Sequence, residues 1–215
     1  MERHIDAKRV VADGYDRIGP TFSAWVAQNP PAVRSWFLAQ VLGRLGEGSD
    51  ILELGCGPGT AATELSAGRR YTGVDLSRVQ LDIARRRVPH TSFVRADFTT
   101  MIFRPASFDG VVAFYVFNHV PQEELAPAFT RIFYWLRPGG RLMFSLGTWE
   151  NAGEIEPDWL GVPMFFAGFT PETNERLLRE NGFDLEMSEI REEITVGPSG
   201  GPERFHWVIA KKPEG

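Results

Sequence analysis

"ILELGCGPGT", residues 51–60, decides the fold. An apolar run, Ile51, Leu52 and Leu54, gives way to Gly55, Gly57 and Gly59 alternating with Cys56 and Pro58. Glycine weakens a strand or a helix because it loses the most conformational freedom on folding, so a turn this rich in glycine serves something other than stability. The run before it reads as a strand and Thr60–Ser66 after it as a helix. Gly55 suits the tight turn, Gly57 would let a ligand approach the main chain, and Gly59 would let helix and strand pack closely.

The same alternation continues outward. Short apolar segments "DILEL", "YTGVD", "SFVRAD", "FDGVVAFY" and "RLMFSLG" read as strands, separated by helices near Thr60–Ser66, Ser77–Arg87 and Pro121–Leu136, the last stopped by "RPGG". Pro127 should either kink that helix or mark its first turn. Residues 6–46 read as helical, interrupted at "NPP", Asn29–Pro31. Beyond a helix at Pro171–Asn181, "FDLEMSEIREEI" and "RFHWVIAKK" flank the turn-rich "TVGPSGGPE" as a hairpin, so the last strand runs antiparallel. Apolar strands alternating with helices imply a sheet covered on both faces. The expectation is an α/β three-layer sandwich with about seven strands in a mixed sheet.

With 215 residues and 43% hydrophobic content, the chain is expected to form one domain, residues 1–46 a helical cap and 47–215 the core. No apolar run is long enough for a bilayer. The opening "MERHIDAKRVVADGYDRIG" has no secretory pattern, and the single cysteine excludes an internal disulfide, so a cytoplasmic location is expected. A net charge of −5 with scattered Lys and Arg leaves no nucleic-acid footprint, and Arg85–Arg87 suits the end of a helix. No cluster of ligand-type residues has metal spacing.

In an open parallel sheet, ligands bind beyond the carboxyl ends of the strands. Asp75 ends "YTGVD" about twenty residues after the glycine turn, where a carboxylate can accept hydrogen bonds from ribose hydroxyls. Asp75 or Ser77 could equally cap the next helix. The spacing G-x-G-x-G departs from the dinucleotide pattern G-x-G-x-x-G. At this point the chain resembles the class I, S-adenosylmethionine-dependent methyltransferases that act mainly on small molecules. "ILELGCGPGT", "YTGVDLS", "FVRADFTT", "FDGVVAFYVFNHV" and "LRPGGRLMFS" are similar to that family's successive motifs, in order. The family's fold is a Rossmann-like seven-stranded mixed sheet with an antiparallel last strand.

The resemblance implies S-adenosylmethionine as cofactor and S-adenosylhomocysteine as product. Gly55, Cys56, Gly57 and Gly59 would line the methionine portion with Glu53 behind them, Cys56 as a small filler rather than a nucleophile. Asp75 would hold the ribose and Leu76 press on the adenine. Asp97 would accept from the adenine amino group beside Phe98, Phe114 would lie next to the transferred methyl, and Tyr15 would close over the methionine end. Asp97 could instead cap a turn, and Phe98 belong to the core.

The chemistry implied is in-line displacement at a sulfonium methyl, for which alignment and exclusion of water supply most of the acceleration. A hydroxyl acceptor would need a base. His119 is the best-placed catalytic candidate, although a structural hydrogen bond would also explain it, and His206 and Glu203 are weaker candidates; His4 and His90 read as surface residues. Residues 148–170 read as a long substrate-side loop with an acidic, solvated first half. Its second half, Trp159, Met164, Phe165, Phe166 and Phe169, would either pack under the loop or wall an apolar pocket with Tyr15, Phe22 and Trp25, on the face that the turn Gly197–Pro202 should also reach. A nicotinamide dehydrogenase, a non-catalytic or regulatory protein that holds the sulfonium cofactor, and a protein or RNA methyltransferase are the competing readings.

Overall fold

Strand β1 (Asp50–Leu54) buries Ile51, Leu52 and Leu54 completely, as a strand covered on both faces must. A computed structural model describes residues 6–28, 32–193 and 202–215. Around β1 it sets β2 (Arg70–Asp75), β3 (Ser92–Arg95), β4 (Phe108–Ala113) and β5 (Leu136–Gly147), all parallel. Two further strands, β8 (Asp184–Glu193) and β9 (Glu203–Lys211), complete a seven-stranded sheet in the order β3-β2-β1-β4-β5-β9-β8. The last strand, β9, runs antiparallel to both neighbours, as expected. Strand order reverses between β1 and β4, which opens a crevice at their carboxyl ends.

Alternation along the strands divides the core. Leu52, Leu54, Val111, Phe144 and Leu146 face α5 (Gln122–Trp135) and α6 (Pro171–Glu180). Ile51, Val112, Phe114 and Met143 face α2 (Ala32–Leu42) and α3 (Ala62–Ser66). Pro127 lies inside α5, not at its start. The "RPGG" segment already belongs to β5, because Gly139 N–H donates to Lys212 O and Lys212 N–H to Gly140 O, at 2.9 and 2.8 Å. The expected break at residues 29–31 lies outside the described residues. No described helix is long and apolar enough to cross a membrane.

The segment expected to be a loop at 148–170 is a hairpin, β6 (Asn151–Trp159) against β7 (Val162–Gly168). Its turn is Leu160-Gly161, both with positive φ, 53° and 85°. Helix α1 (Ala7–Gln28) lies against β7 and against α4 (Arg78–Arg87). Ala7, Val11 and Ile18 of α1 join Val162, Met164, Phe165 and Ala167 of β7 in a third buried cluster, separate from the two on the sheet faces. Gly14 makes the close approach possible: a Cβ there would sit 2.8 Å from Met164 Cε.

Candidate functional site

A cavity of about 720 Å³ opens where β1, β2 and β4 end. Its floor is the glycine turn. Gly55, Gly57 and Gly59 take φ of 59°, 51° and 72°, a region that costs other L-residues roughly 1–2 kcal/mol. A Cβ on Gly55 would lie 2.3 Å from Val116 Cγ2 and one on Gly59 3.1 Å from Ala84 Cβ, whereas one on Gly57 would meet nothing within 4 Å. Gly55 and Gly59 are thus fixed by packing, and Gly57 faces the open cavity. Gly59 serves the contact with α4 rather than a strand–helix contact. Cys56 is buried with its sulfur against Gly73, and burial pushes its thiol well above the usual range.

Asp75 accepts from Gly57 N–H at Oδ2 and from Ser77 N–H at Oδ1, each at 2.8 Å. Burial raises its carboxyl to about 6 while these two bonds pull it back. Ser77 is the residue that caps α4, its Oγ accepting from Gln80 N–H at 3.1 Å. Behind the turn, buried Glu53 accepts from the Tyr71 hydroxyl, and burial lifts its carboxyl to about 7. Leu76 also lines the cavity. Asp97 caps a turn, accepting from Thr99 N–H and Oγ–H at 2.9 and 2.8 Å. Its Oδ2 also pairs with Lys8 of α1 at 2.7 Å, and Lys8 reaches Glu124 at 2.6 Å. Phe98 lines the cavity while its ring packs 5.8 Å from that of Phe117, and Phe114 is buried against Phe37.

The roof is aromatic. Tyr15 packs edge-on against Phe22, His119 and Trp159 at 5.3–5.7 Å, and Trp25 stacks on Phe22 at 6.2 Å. His119 Nδ1 lies 2.8 Å from the Phe165 carbonyl, which can only accept, so Nδ1 carries the proton. Nε2 is then bare and accepts from the Tyr15 hydroxyl at 3.0 Å. Burial depresses His119 to about 4 and raises the Tyr15 phenol, so both are neutral near pH 7.

Of the residues expected to wall an apolar pocket, Phe22, Trp25, Trp159 and Phe166 line the cavity. Met164, Phe165 and Phe169 do not: the first two fill the contact between α1 and β7, and Phe169 packs on the main core. The acidic half of this segment lines the mouth through Glu154, Glu156 and Asp158, alternate residues on one face of β6 and exposed there. Glu203 lines the cavity, but His206 is excluded. On β9, Phe205 and Trp207 share the face toward α2, which turns His206 to the other side, where its Nε2 meets Ser188 Oγ at 2.8 Å. His90 is exposed. His4 and residues 197–201 of the expected Gly197–Pro202 turn lie outside the described residues. Lys8, Arg34, Tyr115 and Glu193 also line the cavity and were not singled out in the sequence. Only the place of Tyr115, directly after Phe114 at the β4 tip, pointed toward one of them.

The family model described as "Methyltransferase domain" matches residues 51–140. An O-methyltransferase of Penicillium expansum, cnsE, is 30% identical over 162 residues, which cover 69% of this chain and 57% of that protein. The chain spans about half the length of the first curated relatives it matches. Among solved structures, the Burkholderia thailandensis 1,6-didemethyltoxoflavin-N1-methyltransferase, with bound 1,6-didemethyltoxoflavin and S-adenosylhomocysteine, superposes with a TM-score of 0.72 at 21% identity, covering 99% of this chain and 93% of that one. The [4+2]-cyclase SpnF gives 0.71 at 19% identity, covering 97% of both. At these identities the two structures share the fold.

Proposed function

The chain belongs to the class I, S-adenosylmethionine-dependent methyltransferases, whose domain model matches its residues 51–140, and from that membership we propose that it methylates a small-molecule acceptor using S-adenosylmethionine. One observation carries the reading: Gly57 faces open cavity where a Cβ would intrude, and its N–H is bonded to the carboxylate of Asp75. A ligand can therefore lie directly on this main chain, with a carboxylate beside it for paired hydroxyls. A carboxylate offers about four lone-pair sites, and the two backbone bonds to Asp75 leave capacity for a ribose.

Bound there, S-adenosylmethionine would supply an activated sulfonium methyl. The chain's part is to bind, orient and exclude water. Asp75 and Leu76 would hold the ribose and adenine, with Asp97 and Phe98 at the far edge of the ring. Gly55, Cys56, Gly57, Gly59 and Glu53 would receive the amino-acid end, and Phe114 would border the methyl. Tyr15 would close the site from above, held in place by neutral His119. Because His119 Nε2 already accepts from Tyr15, it can take a proton from an acceptor only after that bond opens. Phe22, Trp25, Trp159 and Phe166 give the acceptor an apolar, aromatic surround. A roofed cavity of this size suits a small molecule better than a protein or RNA segment, and the lone buried Cys56 suits a reducing cytoplasm.

A second reading, cofactor binding without methyl transfer, draws support from His119, whose two ring nitrogens are both engaged. Calorimetry and thermal melting with S-adenosylmethionine test the main proposal: micromolar binding that Asp75→Ala weakens at least tenfold is expected. An unchanged melting temperature at saturating cofactor refutes it. Mass spectrometry of S-adenosylhomocysteine formed with a panel of small phenols, acids and amines separates the two readings.

A further inference from the structure

One buried carboxylate of the cavity has no part in the scheme above. Glu193 ends β8, is 3% exposed, pairs with Glu203 of β9 and lines the cavity. The hydroxyl of Tyr115 lies 2.8 and 2.9 Å from its two oxygens. Tyr115 itself is unusual in its backbone: its φ is 57°, a conformation that non-glycine residues hold only where the surroundings impose it, often at functional sites. Its N–H is fixed by Ser145 Oγ at 3.0 Å, and its ring by Phe205 and Trp207 at 4.9 and 5.6 Å. This strained tyrosine directly follows Phe114, the strand-tip residue proposed to border the methyl.

The Tyr115 hydroxyl carries one proton and so fills one lone pair of Glu193 at a time, while the charge of nearby Arg34 favours the ionised carboxylate. The carboxylate keeps capacity for a further donor in the cavity. Burial raises its affinity for protons above that of an ordinary glutamate. His119, by contrast, has both ring nitrogens engaged.

We propose that Glu193 is the base that receives the acceptor's proton, with Tyr115 as the residue that positions it. The proposal rests on the methyl-transfer reading and names a residue that neither the motifs nor the resemblance assigns. In the step, a lone pair on the acceptor's O–H or N–H atom forms the bond to the methyl carbon as the carbon–sulfur bond breaks. That bond's electron pair stays on sulfur, and the acceptor's proton passes to Glu193 and then to water. The class of acceptor is therefore a neutral alcohol, phenol or amine that must lose a proton, rather than one already ionised.

The test needs no acceptor. Sinefungin carries C–NH₃⁺ in place of the sulfonium S⁺–CH₃, so it presents N–H donors where the methyl would be. S-adenosylhomocysteine shares every other part and lacks them. Calorimetry on the full chain is expected to show that wild type prefers sinefungin. Glu193→Gln should keep its affinity for S-adenosylhomocysteine within twofold while the preference falls about tenfold or more, the usual worth of a charge-assisted hydrogen bond. Tyr115→Phe should reduce the preference a few-fold at unchanged S-adenosylhomocysteine affinity, a readout that a purely structural role would not move. A preference undiminished in Glu193→Gln overturns the proposal. Equal losses for both ligands also overturn it, because they would assign Glu193 to the amino-acid end the ligands share. If Glu193→Gln does not fold, Tyr115→Phe carries the same comparison. Wild type that binds neither ligand would instead overturn the cofactor reading beneath the proposal.

Discussion

Replacing Gly57 by alanine separates a cost to folding from a cost to binding. The added Cβ meets no atom within 4 Å, so the fold bears only the strain of an L-residue at φ 51°. That strain is roughly 1–2 kcal/mol, and in a domain of this size each kcal/mol lowers Tm by about 2–4 °C. Gly57→Ala should therefore melt about 2–8 °C below wild type, still cooperatively. The new methyl projects into the space assigned to the cofactor, so affinity for S-adenosylmethionine should fall at least tenfold, or about 1.4 kcal/mol. Gly55→Ala is the contrasting control. Its Cβ would press to 2.3 and 2.6 Å of Val116 Cγ2 and Cβ, adding an overpacking cost of about 1–3 kcal/mol to the same strain. Differential scanning fluorimetry without ligand and calorimetry with S-adenosylmethionine read the two effects separately. If Gly57→Ala bound the cofactor within twofold of wild type, no ligand would lie against this main chain and the reasoning would fail.

Met164→Ala removes a fully buried side chain between α1 and β7 and should cost about 2–5 kcal/mol, with faster amide exchange concentrated in α1. Exchange rising uniformly along the chain would contradict this. Glu53 has its folded-state pKa raised to about 7, so the protonated form is the one the fold favours. Its contribution is complete below the unfolded value near 4.5 and is lost as pH rises toward 7. The ligand-free protein should thus lose stability over that interval, and Glu53→Gln should flatten the slope; a parallel Tm–pH curve in the variant would count against it. His119 works in the opposite sense. Its stabilisation, from a neutral ring depressed to about 4, is present above 6.5 and vanishes on acidification through 4, so its imidazole resonances should stay unshifted down to about pH 5. Tyr15→Phe strips Nε2 of its donor and should cost about 1–3 kcal/mol, detectable as a lower Tm.

The glycine turn, Asp75 and the seven strands were legible because each rests on a local pattern: an apolar run, a positive-φ glycine, a strand end at a fixed distance. The β6–β7 hairpin was not. Gly153 and Pro157 interrupt β6, charged residues cover one face, and the turn is Leu160-Gly161 instead of the Asn-Gly or Asp-Gly that usually marks a two-residue connection. His206 could have been set aside from alternation alone, since Phe205 and Trp207 claim the opposite face of β9. Other features lie beyond any local pattern. Tyr115 and Glu193 meet across 78 residues, and Lys8 reaches Thr99, beside Asp97, across 91. Sheet order and the docking of α1 bring these pairs together, and no spacing in the sequence encodes either.

That α1 and β7 share a buried cluster of their own has a consequence for how such a protein diversifies. The canopy carries its own ballast, so aromatic or acidic positions along its underside can be exchanged while the bedrock of the sheet, and whatever it holds against the glycines, is left undisturbed.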